Sequence, residues 1–108
     1  MTDITATIIT DLAGEADVPE DGTLSRVLYA DDRLRLVLFA FDEGQELTEH
    51  TASVPAVVQV VSGRFRLTLG EEIVEVDPGA WVHMPARLPH AVLALEPGRL
   101  LLTMLRDG

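Results

Sequence analysis

An antiparallel β-sandwich or barrel is the fold predicted for this 108-residue chain. From Thr23 onward, short runs rich in Val, Leu and Phe recur, divided by acidic and glycine-containing turns. No helical pattern separates these runs, which excludes a parallel sheet, because each parallel pair needs a long crossover. Residues 64–69, Arg-Phe-Arg-Leu-Thr-Leu, alternate strictly, so Phe65, Leu67 and Leu69 share an inward face while Arg64, Arg66 and Thr68 point out.

One domain is expected, since dividing so short a chain leaves two cores too small to stand alone. Residues 1–22 read as an N-terminal extension and residues 23–108 as the barrel domain. Within the extension, residues 4–16 are expected to form a strand entering a short helix, with Ile8, Ile9 and Leu12 as one apolar stripe and Gly14 as its stop. Residues 24–29 and Leu34–Phe41 read as a hairpin turning through Ala30, Asp31 and Asp32. Further strands are expected over 57–61, 64–69, 73–76, 81–84, 91–95 and 100–105, giving seven or eight in all. Residues 34–41 and 100–105 are apolar on both faces apart from Arg35 and Thr103. Such strands need two covers, and a second copy of the chain is the expected outer one, which makes a homodimer.

Composition narrows the function. The formal net charge is −10 and every basic residue is arginine, so phosphate backbones and anionic lipid surfaces are repelled and neither nucleic acid nor membrane is an expected partner. Arg64 and Arg66 stand apart from that balance, either as outward strand residues or as an anion site. No apolar run approaches the ~18 residues of a membrane span, and the start MTDITATIIT lacks the basic region of a secretion signal, so a cytoplasmic protein is expected. Cysteine is absent, and no serine stands at a recognisable motif spacing from a histidine, so thiolate and covalent acyl chemistry are not expected.

The chemistry-bearing residues cluster in two stretches. Residues 79–92 read GAWVHMPARLPHAV, in which Pro85 ends a strand and Pro89 stiffens the return, forming a corner that aims His90 inward together with positions 92 and 94. Set out by spacing, this stretch is Gly79, five residues, Pro85, one residue, Arg87, two residues, His90, three residues, Ala94. Upstream lie Gly44, five residues, His50, Thr51, Ala52, three residues, Ala56, six residues, Gly63. The two stretches resemble, in order, the second and first motifs of the cupin family, G-x5-P-x-G-x2-H-x3-N and G-x5-H-x-H-x3-E-x6-G. The resemblance implies a double-stranded β-helix barrel of the jelly-roll type, with the short extension packed outside.

The departures bear on the site. Metal-binding cupins usually take two histidines and a carboxylate from the first motif and one histidine from the second; here Ala52 and Ala56 fill two of those four slots, leaving His50 and His90. Arg87 and Ala94 replace the motif's glycine and asparagine. A further ligand is sought in His83, which faces His90 if the chain forms a hairpin turning between Ala86 and Arg87. Gln59 has the wrong parity without a bulge, and Glu46 and Glu49 lie in the expected loop before His50. The expected cofactor is therefore at most one divalent transition metal ion (Mn, Fe, Ni or Zn) on His50, His90 and His83, weakly held or absent. Trp81 and Met84 offer apolar walls for a ligand.

Three functions fit this pattern. The first is a small-molecule-binding protein, sensory or accessory, with a pocket lined by His50, His90, Trp81 and Met84. The second is a metal-dependent oxygenase or isomerase using His50, His90 and His83. The third is a structural dimerisation module with a degenerate pocket.

Overall fold

The computed structural model describes residues 4–106. Among these, nine strands form two antiparallel sheets: β1 (Thr23–Ala30), β2 (Leu34–Phe41), β3 (Glu46–His50), β4 (Ala56–Ser62), β5 (Phe65–Leu69), β6 (Glu72–Val76), β7 (Trp81–Met84), β8 (His90–Ala94) and β9 (Gly98–Leu105). The larger sheet runs β1-β2-β9-β4-β7 and the smaller β3-β8-β5-β6. Only β1–β2 and β5–β6 are hairpins within one sheet; every other connection crosses between sheets. This is a jelly-roll barrel, and its inner faces meet in one core.

Alternation sorts the side chains. Phe41, Val58, Val60, Phe65, Leu67 and Leu100 are buried between the sheets, with Ala56, Met84 and Ala94 among them. On β2 the other parity, Leu36, Leu38 and Ala40, faces outward with Leu101 of β9, yet Leu38 and Ala40 are fully buried. Their cover is the chain's own N-terminal segment: Leu12, Ala16 and Val18 pack on them. Two arginines hold that segment by its carbonyls, Arg99 Nε donating to Ala16 O at 2.7 Å and Arg26 to Glu15 O at 2.7 Å. The outer cover of Leu34–Phe41 therefore comes from the same chain.

The extension differs from its expected form. Residues 4–12 take no regular structure, and a single 3-10 turn, Ala13–Glu15, includes Gly14. A stripe of three apolar residues is too short to sustain a helix in a segment whose packing is set by Leu12 and Ala16. Strand β3 is also unanticipated: Glu-Leu-Thr-Glu-His carries no apolar alternation beyond Leu47, and becomes a strand by pairing with β8. Arg64 and Arg66 point outward, where Arg64 pairs with Glu75 and Asp77 and Arg66 with Glu75, at 2.9, 3.5 and 3.1 Å.

Two exposed aspartates organise loops next to β1 and β2. Asp31 accepts the Tyr29 hydroxyl and the Arg33 and Leu34 amides, which together hold its carboxyl below the usual range, and the first of these bonds raises the Tyr29 phenol. Asp42 accepts the Asp21 and Glu43 amides, with the same downward effect.

The proline corner turns the chain between sheets. Leu88 N donates to Pro85 O at 3.3 Å, and the third residue of this turn, Arg87, has φ 67°. A turn with positive φ at that position favours glycine, the residue of the family motif. Arg87 N is held by Ala52 O at 2.7 Å and Pro89 O receives Gly70 N at 2.8 Å, which pins both arms. Arg87→Gly is expected to raise stability by about 0.5–1 kcal/mol: relief of the left-handed strain exceeds the added unfolded-state entropy. Urea denaturation checks it, with Arg87→Val as a comparison that must not stabilise.

Candidate functional site

The space between the sheets is not filled. A cavity of about 50 Å3, open at one end, is lined by Phe39, Phe41, Leu100 and Leu102 from the larger sheet, by Leu47, Leu67, Leu69 and Val92 from the smaller, and by Val58 and Met84. The lining is aliphatic and aromatic except at one end, where His50 and His90 stand. Among the described residues no acidic side chain, lysine or arginine lines it.

The histidine pair follows from register. His50 and His90 are directly opposed on β3 and β8, and β8 also pairs with β5 so that Leu69 sits across from His90. His90 shares the inward parity of Val92 and Ala94 and is only 8% exposed, while His50 sits exposed at the mouth. Their ring centroids are 4.2 Å apart with planes at 61°. Each ring is tied to its own strand: His50 Nδ1 lies 2.9 Å from Thr48 O and His90 Nδ1 2.9 Å from Leu88 O. A carbonyl only accepts, so each Nδ1 carries the proton and donates. Each neutral ring therefore turns an Nε2 lone pair away from its strand, and neither Nε2 has a hydrogen-bond partner among the described residues.

The other candidate residues lie elsewhere. Met84 lines the cavity, but Trp81 is 62% exposed and His83 lies on the same outer side of β7, their rings 6.5 Å apart and nearly parallel. The hairpin that would bring His83 opposite His90 does not form: β7 pairs with β4, placing His83 across from Val57, and the proline corner delivers β8 to the other sheet. Gln59 is exposed opposite Trp81, and Glu46 and Glu49 are exposed along β3. Among the cavity-lining residues that sequence reasoning did not single out are Phe39, Phe41, Leu47 and Leu102; the inward parity of 39 and 41 was the available signal. Arg35 shares the inner parity of Phe39 but lies outside the lining, with its Nε buried and unpartnered.

The donor set does not fit a resident metal ion. Two imidazoles remain, Ala52 and Ala56 supply no ligand atoms, and among the described residues no three His, Cys, Asp or Glu side chains converge on one point. Three protein ligands are the ordinary minimum for an ion that stays bound.

Fold and cavity together define a class: a jelly-roll barrel with an apolar interior and an imidazole pair at its mouth. A sequence model of the cupin domain matches residues 37–105, and the chain belongs to the cupin family. Among solved structures it is similar to a conserved protein of unknown function from Streptococcus pyogenes, at 32% identity and TM-score 0.85 over 99% of this chain and 94% of that one. It is also similar to a cupin superfamily protein from Desulfitobacterium hafniense, at 22% identity and TM-score 0.86 over 98% and 97%. KdgF from a Halomonas species aligns at 27% identity and TM-score 0.76 over 93% of both chains. No curated protein matches the chain. Among the described residues no helix is long and apolar enough to cross a membrane.

Proposed function

We propose that this cupin binds a small molecule between its sheets, with the ligand's polar group against His50 and His90. One observation carries the reading: an apolar cavity ends in two imidazoles whose Nε2 atoms lack partners. Close-packed interiors leave few voids, and an acceptor that opens into an apolar cavity is completed either by water or by the donor of a ligand that displaces it. A ligand would fill the space and complete the acceptor. Methyl-detected NMR during titration with ethylbenzene tests the pocket: shifts confined to Leu47, Leu69, Val92 and Leu102 are expected, and their absence at millimolar ligand removes the reading. The metal-dependent oxygenase or isomerase reading has no supporting donor set among the described residues.

A homodimer belongs to the same proposal, on narrower ground than the sequence suggested. Ile4 and Ile8 are 98% and 76% exposed in an uncharged segment, and β1 is a sheet edge on which Leu24 and Val27 are also exposed. An eight-residue edge strand can accept an added strand along its first part, before the irregularity between Val27 and Tyr29. Residues 4–8 of a second copy, uncharged and alternating, suit that edge. Sedimentation is expected to give the dimer mass, and Ile4→Lys with Ile8→Lys the monomer; a wild-type monomer at micromolar concentration contradicts it.

A further inference from the structure

We infer that the ligand is an uncharged apolar molecule carrying a hydroxyl group, a phenol or an alcohol, which it donates to Nε2 of His90. This rests on the pocket reading above and goes further, to the chemical class of the occupant. The backbone carbonyls of Thr48 and Leu88 fix both Nδ1 atoms as donors, so the neutral pair presents acceptors only. The two rings cannot satisfy each other, because neither Nε2 holds a proton to give. His50 at the mouth is reached by water, whereas His90 is 8% exposed and lies against the apolar lining. His90 Nε2 is not sealed off, since Arg35 Nε is the buried side-chain nitrogen without a partner among the described residues. The His90 acceptor thus opens into the cavity, and an occupant that displaces water from it must donate a hydrogen bond in its place.

The same geometry rejects other classes. A ketone or ether would set oxygen lone pairs against the Nε2 lone pair. A carboxylate would do so with a full negative charge, in a cavity lined by no lysine or arginine and in a protein of net charge −10. The rest of the lining asks for an alkyl or aromatic body, since Phe39, Phe41, Leu69 and Leu102 offer dispersion contacts and no polar partner.

Isothermal titration of wild-type protein at pH 8 with 4-ethylphenol, ethylbenzene and 4-ethylbenzoate decides the matter. The phenol is expected to bind roughly tenfold more tightly than ethylbenzene, the factor of one hydrogen bond completed in a site that would otherwise leave it unmade. The benzoate is expected to bind weaker than either. In His90→Met, which removes the acceptor and keeps an apolar side chain, the preference for the phenol should vanish while ethylbenzene still binds. Equal binding of phenol and ethylbenzene, or tighter binding of the benzoate, overturns the hydroxyl assignment and leaves the pocket standing. Failure of all three compounds to bind overturns pocket and assignment together. The wild-type comparison decides on its own if the variant does not fold.

Discussion

Gly63→Ala is expected to destabilise the barrel by about 2–5 kcal/mol, the sum of two separate penalties. Gly63 follows β4 with φ 76°, a conformation that costs an L side chain about 1–2 kcal/mol. Its missing Cβ would also stand 2.5 Å from Pro97 O and 2.6 Å from Gly98 Cα, and backbone atoms cannot swing aside. Relieving that overlap means moving the start of β9 away from β4, at about 1–3 kcal/mol for an overpacked site. Domains of this size have about 5–15 kcal/mol in hand, so the melting temperature should fall by 10 °C or more. Gly79→Ala separates the penalties: φ is 96° there, but nothing lies within 4 Å of the added carbon. Only the conformational part, about 1–2 kcal/mol, should be lost. Equal midpoints for the two variants would show that the Gly63–Gly98 contact is not a constraint.

Those two glycines stand in the family motifs at strand reversals, and that much was legible from residue order. So were eight strand positions, because alternation and turn residues are local properties of a chain. β3 was not legible: its residues are mostly polar, and only the distant β8 makes Glu46–His50 a strand. The same non-locality decided His83. Whether Trp81–Met84 pairs with β8 or with β4 depends on which sheet the Pro85–Pro89 corner enters, and parity along one strand carries no information about that. His50 and His90 came together because each motif holds its histidine at a fixed offset from its glycines, so their approach needed no register assumption. The two apolar faces of Leu34–Phe41 were read correctly as needing two covers, yet the outer cover is Leu12, Ala16 and Val18. Three apolar residues scattered over seven positions form no periodic signal, which is why the segment looked like a helix end instead.

Phe41→Ala and Phe65→Ala are expected to cost about the same, 3–5 kcal/mol each, and to respond differently to a ligand. Both side chains are fully buried, and their rings meet edge to face at 5.4 Å. Only Phe41 lines the cavity, where it also stacks on Phe39 at 6.1 Å. Truncating it joins a new void to space that already opens to solvent, so an apolar molecule can enter and restore the lost contacts. Truncating Phe65 makes a void outside the cavity lining, against the ring of Phe41. Ethylbenzene at about 100 times its Kd for the Phe41 variant should return roughly 2.7 kcal/mol of stability by mass action. The Phe65 variant should gain no more than the wild type does. Thermal denaturation with and without ethylbenzene reads the difference directly. If both variants are rescued alike, the two voids communicate, and Phe41 is not the wall that separates the binding cavity from the core beneath it.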